Sequence, residues 1–192
     1  MDDLFHGADG KPRCGWVTSA EDYIRYHDDE WGRPVRDDVA LFEKVSLEAF
    51  QSGLSWLTIL RKREAFRTAF AGFEPKRVAA FDDDDVERLM GDAAIVRNRA
   101  KIDVTIANAQ AAVALADAGE SLTELIWSFA PAAAGRPVPE SLADLPASTA
   151  ESTALAKELK RHGFRFVGPT TAYALMQACG LVNDHLEGCS AR

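Results

Sequence analysis

The chain has 192 residues, and its 22 Lys and Arg against 30 Asp and Glu give a formal net charge of -8. That balance argues against tight, indiscriminate binding to nucleic acid, although it leaves room for a local basic face. No apolar run approaches membrane-spanning length, and the opening MDDLFHGADGKP lacks the basic start and apolar stretch of a signal peptide, so the expected location is cytoplasmic, with no membrane partner.

In chain order, residues 1–12 are expected to be a disordered extension, followed by a single domain over 13–192 that two helical lobes could share. Helix signals dominate. Periodicity and caps predict helices near 20–31, 38–51, 56–70, 84–90, 98–118, 121–129, 149–162 and 169–179, which makes the fold class all-α. Asp84 with Glu87, Ser121 with Glu124 and Ser148 with Glu151 have capping-box spacing, and Gly119, Gly163 and Gly180 suit helix C-termini. Pro169 suits a first turn. The acidic run Asp82 to Asp85 is read as complementing a helix dipole rather than as a cation site. The Pro- and Ala-rich piece from Pro131 to Pro146 is the longest loop.

Three cysteines in an expected reducing compartment do not suggest a disulfide framework. Cys179 sits in an apolar helix and reads as core, whereas Cys14-x12-His27 and His185-x3-Cys189 together make a complete tetrahedral zinc set. Such a closed shell keeps no position for a reacting water, so one structural zinc would join the two chain ends. The bland alternative is two ordinary histidines and two small hydrophobes.

The stretch LEAFQSGLSW raises a different question. Leu41, Val45 and Glu48 fall at i, i+4 and i+7, which puts a carboxylate on or beside an apolar helix stripe. A carboxylate taken out of water is paired, protonated or kept for function; the alternative is a side chain at the stripe's edge whose tip reaches solvent. Trp16, Tyr23, Tyr26, Trp31 and Trp56 crowd the first third of the chain. Such a cluster is either core or, beside a carboxylate, a slot for a flat heterocycle.

CGWV, YHDDEWG, LEAFQSGLSW, RFVGPTTAYALMQACGLVNDH and the late GC together resemble the 3-methyladenine DNA glycosylase I family of the helix-hairpin-helix superfamily, from about Arg13 to Cys189. The resemblance implies a monofunctional repair enzyme that flips 3-methyladenine out of alkylated double-stranded DNA and hydrolyses its N-glycosidic bond, releasing the free base. It implies that Glu48 recognises the base, Trp56 stacks on it, Tyr26 reaches it, and Trp16 and Tyr23 complete the pocket. Cys14, His27, His185 and Cys189 match the family's zinc ligands. The segment 91–109 matches the helix-hairpin-helix, where Arg97, Arg99 and Lys101 supply positive charge for the DNA backbone; Arg61 to Arg63, Lys157, Lys160 and Arg161 are weaker candidates. Leu54 is the expected wedge into the gap left by the flipped nucleotide. Ala94 and Ala100 stand where glycines are expected in the hairpin, and Ala174 where a small hydroxyl is expected in the pocket. Asp103 receives no catalytic role. The expected state is a monomer. The rival readings are another damaged purine as substrate, a zinc-stabilised binding module without catalysis, and a zinc hydrolase or deaminase with Glu48 as general base, the last disfavoured by four ligands.

Overall fold

The computed structural model describes residues 3–132 and 136–192; three residues of the Pro131 to Pro146 loop and the first two of the chain lie outside that range. Helices α1 (Glu21–Asp29), α2 (Asp38–Gln51), α3 (Trp56–Ala69), α4 (Pro75–Ala79), α5 (Asp83–Gly91), α6 (Arg99–Asp117), α7 (Leu122–Trp127), α8 (Ala150–Arg161) and α9 (Pro169–Ala178) make up the frame. All eight expected helices are present within two residues at each end, and α4 is the addition.

The start of the chain is a correction. Strand β1 (Leu4–His6) pairs antiparallel with β2 (Pro12–Cys14), Leu4 opposite Cys14, where disorder was expected. Short strands with no apolar run carry little signal of their own, and tertiary contacts hold this pair. The Arg13 guanidinium is buried between Asp9 and Asp28, at 2.8 Å from each. The Asp3 carboxylate accepts from the Leu142 amide at 2.9 Å, and Ser190 N–H donates to the Pro12 carbonyl.

The helix caps moved by one or two residues. α5 starts at Asp82, whose side chain accepts from Asp84 and Asp85 amides while Asp85 closes the box, and α8 uses Thr149 with Ser152. In both places neighbouring residues have equal capping chemistry, so backbone geometry makes the choice. Ser121 caps α7 as expected, and Asp83 to Asp85 occupy the first turn of α5, as the dipole reading required.

α2 is the axis of the molecule. Ten of its residues, from Leu41 to Phe50, are buried, and α3, α6, α7 and α9 pack around it. A helix covered on all sides has no polar face to spare, so its polar residues lie at internal sites. Asp37 starts α2 by accepting from the Ala40 amide at 2.8 Å. Its exit is a tight turn in which Gly53 has φ +79°, a conformation that favours glycine. Ser55 then caps α3. This turn presents Leu54, one of three large apolar side chains that stay exposed among the described residues.

Candidate active site and metal centre

Glu48 lies in the last turn of α2 and is buried, and its carboxylate makes no hydrogen bond among the described residues. It borders a cavity of about 220 Å³ whose walls are Trp16, Tyr23, Tyr26, Trp31, Gln51, Trp56, Leu145, Ala174 and Gln177. The orphan carboxylate therefore faces this space. Burial pushes its pKa up to about 7, and Lys44, one turn earlier on α2, opposes that shift.

The walls come from distant parts of the chain. Trp16 follows β2, Tyr23 and Tyr26 lie on α1, Trp56 opens α3, and Ala174 and Gln177 lie one turn apart on α9. The rings brace one another. Tyr26 and Trp56 have centroids 5.3 Å apart at a 45° tilt, and Trp16 meets Tyr23 at 5.2 Å and Trp31 at 5.0 Å. The Trp56 indole N–H is the sole buried side-chain polar atom without a partner among the described residues. Such an orphan donor is rare in a packed interior. The methyl group of Ala174 brings no hydroxyl to the wall.

A second cavity of about 260 Å³ shares Glu48, Gln51 and Ala174 with the first and continues past Ser52, Gly53 and Leu54 to Thr170 and Thr171. It is the open approach to the slot, with exposed Leu54 at its mouth.

The basic residues are distributed less simply than their sequence suggests. Arg97 is exposed in the loop between α5 and α6. Arg99 is exposed too but pairs with Glu87 at 2.7 Å. The Lys101 ammonium turns inward and donates to the carbonyls of Phe50 and Ser52 at 2.8 and 2.6 Å, tying the start of α6 to the turn that carries Leu54. Arg61 pairs with Asp22, Lys62 donates to the Ala93 and Ala94 carbonyls, and Arg63 grips Glu30. Neither Ala94 nor Ala100 has a positive φ, so this hairpin turns without glycine.

At the far side of Trp16 and Trp31, the atoms His27 Nε2, His185 Nδ1 and the sulfurs of Cys14 and Cys189 lie within 4.8 Å of one another. The two nitrogens are 3.2 Å apart, and the measured sulfur–nitrogen distances are 3.5 to 3.6 Å. Tetrahedral zinc with its usual bond lengths needs about 3.3 Å between nitrogens and about 3.6 Å between sulfur and nitrogen. These spacings suit a tetrahedral ion, and the four residues could hold one. The outer nitrogens agree: His27 Nδ1 is 2.8 Å from Asp28 and His185 Nε2 is 3.1 Å from the Trp31 carbonyl, so both inner nitrogens carry the lone pair that a metal requires. The Cys14 and Cys189 sulfurs shift each other's ionisation in opposite directions, Cys14 upward and Cys189 downward; a metal would bind both as thiolates. Gly32, at φ +79°, passes so near that a Cβ there would lie 3.1 Å from His185 Nε2.

The structure thus brings together every pocket and metal residue expected from the sequence. It adds Gln51, Leu145 and Gln177 and puts Trp31, named only as part of the aromatic cluster, on the wall. Gln51 was within reach of the sequence, three residues after Glu48 on the same helical face, whereas nothing local marks Leu145 or Gln177.

Fold and site define a class: a mostly helical protein with a buried carboxylate facing a cavity between aromatic walls, a lining whose chemistry suits a flat, electron-poor heterocycle. The sequence profile of the methyladenine glycosylase family matches residues 16–192. Over 177 residues the chain is 49% identical to DNA-3-methyladenine glycosylase 1 of Escherichia coli (strain K12), covering 92% of this chain and 95% of that protein. It superposes on a crystal structure of 3-methyladenine DNA glycosylase I with a TM-score of 0.89 at 49% identity, covering 94% of this chain and 99% of that one. It is also similar to the 3-methyladenine DNA glycosylase I of Staphylococcus aureus, whose structure addresses 3-methyladenine recognition, with a TM-score of 0.84, 38% identity and coverage of 91% and 93%. The chain belongs to the methyladenine glycosylase family.

Proposed function

We propose that this protein is a monofunctional DNA repair glycosylase that excises 3-methyladenine from alkylated double-stranded DNA and leaves an abasic site. The observation that carries the reading is a buried, unpaired carboxylate flooring an aromatic slot. Alkylation at N3 gives the adenine ring a positive charge, and such a ring is attracted by a carboxylate and by π faces. Normal adenine lacks that charge. In this reading Glu48 accepts from the adenine edge, Trp56 stacks on the ring, and Tyr26, Tyr23 and Trp16 close the slot. A base inside a duplex cannot reach it, so the nucleotide is flipped out, and Leu54 fills the gap.

The bond broken is the one from C1′ of the sugar to N9 of the base. The base leaves with the bonding electrons as neutral 3-methyladenine, and a water oxygen adds to C1′ with loss of a proton. The leaving group needs little protonation, so the residues here act by binding and orienting the cationic base, whose positive charge passes to the sugar as the bond stretches. Among the described residues no lysine stands at the pocket wall as a Schiff-base nucleophile, which fits a monofunctional reaction.

The reading includes one structural zinc held by Cys14, His27, His185 and Cys189. Its four-ligand shell supplies folding energy rather than a reacting water. The enzyme is taken to act as a cytoplasmic monomer, with Arg97, Arg99 and the hairpin amides meeting the DNA backbone. Lys101 supports this surface through the Leu54 turn. Incubation with methylated DNA followed by chromatography of the released bases tests the function. Free 3-methyladenine is the expected product, and its absence would overturn the assignment.

A further inference from the structure

Gln177 is the one wall residue of the slot whose amide orientation is imposed from behind. Its Nε2 donates to Asp184 Oδ2 at 2.8 Å. Asp184 is buried and also accepts from Tyr173 at 2.6 Å and from Arg136 at 2.5 Å. A carboxylate paired with a guanidinium can only accept, so it selects the NH₂ end of the Gln177 amide. Tyr173 and Gln177, at i and i+4 on α9, share this carboxylate, while Ala174 and Gln177, at i and i+3, face the cavity. The other end of the amide, Oε1, has no partner among the described residues, yet it is not among their buried orphans. The base slot is the cavity that Gln177 lines.

We infer that Gln177, locked by Asp184, is a specificity-determining residue that presents a carbonyl oxygen to the exocyclic amino group of the flipped purine. This inference rests on the excision reading above. A 6-amino group carries two hydrogens, and ionised Glu48 and Gln177 supply two acceptors; the Gln177 oxygen cannot be exchanged for the NH₂ donor without breaking the bond to Asp184. A 6-oxo purine would meet two oxygens with a third. The slot is thereby selective for amino over oxo purines, a choice that the positive charge of the lesion cannot make, because alkylated guanine carries the same charge. A site built around a substrate hydrogen bond discriminates strongly, since the wrong ligand leaves its polar groups unpaired.

Binding of free 3-methyladenine and 3-methylguanine is to be followed by tryptophan fluorescence, and excision of each base by release from methylated DNA. Gln177→Met keeps the length of the side chain and removes the acceptor. The expected result is a roughly tenfold fall in the preference for 3-methyladenine over 3-methylguanine. Asp184→Asn, which lets the amide reverse, should reduce the preference in the same direction. A folded Gln177→Met protein that keeps the full wild-type preference would overturn the inference. If that variant does not fold, wild type decides: it should bind 3-methyladenine at least tenfold more tightly than 3-methylhypoxanthine, and equal binding of the two would overturn the inference. Wild type that releases neither base from DNA would instead count against the excision reading itself.

Discussion

Glu48 is an acid kept where acids are costly, and its consequences are measurable without DNA. Burial raises its pKa from an ordinary 4.5 to about 7, so the folded state binds a proton that the unfolded state has already lost between those pH values. Stability therefore falls as pH rises through that window. Glu48→Gln removes the ionisation, and denaturant melts should show the variant gaining up to about 3 kcal/mol over wild type at pH 8. Activity moves the other way. The ionised form is the one complementary to a cationic base, so kcat/KM for excision should rise with pH through about 7 in wild type and be flat and lower by roughly 10²- to 10³-fold in Glu48→Gln. A variant that releases 3-methyladenine normally would remove the role given to this residue. Trp56→Ala should weaken binding of the free base by roughly 10- to 100-fold, the equivalent of about 1–3 kcal/mol of stacking, in a fluorescence or calorimetric titration.

The turn between α2 and α3 carries both Leu54 and the open approach to the slot, and α6 holds it from below. The Lys101 ammonium bridges the Phe50 and Ser52 carbonyls, and desolvation lowers its pKa, as expected of a cation turned into the protein. Lys101→Met should cost about 2 kcal/mol in thermal or urea melts, because two charge-assisted hydrogen bonds are lost. The salt dependence of DNA binding distinguishes this role from a phosphate contact. A bracing lysine leaves the slope of log Kd against log salt unchanged, whereas loss of a phosphate contact lowers it by about one. Leu54→Ala should slow excision from duplex DNA while leaving binding of the free base intact, since its side chain stands at the mouth and not on the slot wall.

For the molecule as a whole, the cluster of Cys14, His27, His185 and Cys189 joins segments 158 residues apart in sequence, as the His27 to His185 contact records. Its histidines also support the pocket, with Trp16 centred 5.2 Å from His27 and Trp31 4.8 Å from His185. Chelation or Cys189→Ala should lower Tm and zinc content together, while excision per folded molecule persists. A variant as stable as wild type but unable to release the base would show that the metal is catalytic. Asp28→Asn, which weakens the support behind His27, should reduce metal affinity by roughly 10- to 100-fold in a competition titration with a chromophoric chelator.

The helices were legible in the sequence because each carries its own periodicity and end signals, and the ligand set was legible because four residues of the right chemistry stand in two spaced pairs. The motif words around Glu48, Trp56 and Tyr26 were enough to suggest a slot for a base. Three things waited for the tertiary structure. The hairpin at residues 4–14 exists because Arg13 finds Asp28 on a helix that sequence alone does not place beside it. Lys101, in the expected DNA-binding segment, turned out to brace a loop some fifty residues away, since a cation's partners depend on which carbonyls the fold leaves open. Gln177 became a wall residue with a defined orientation only once Asp184, Tyr173 and Arg136 converged behind it. Propensity, capping and ligand chemistry are properties of neighbouring residues, so the sequence determines them by itself. Which buried polar group faces which cavity depends on packing between distant segments, and that was decided by the tertiary structure.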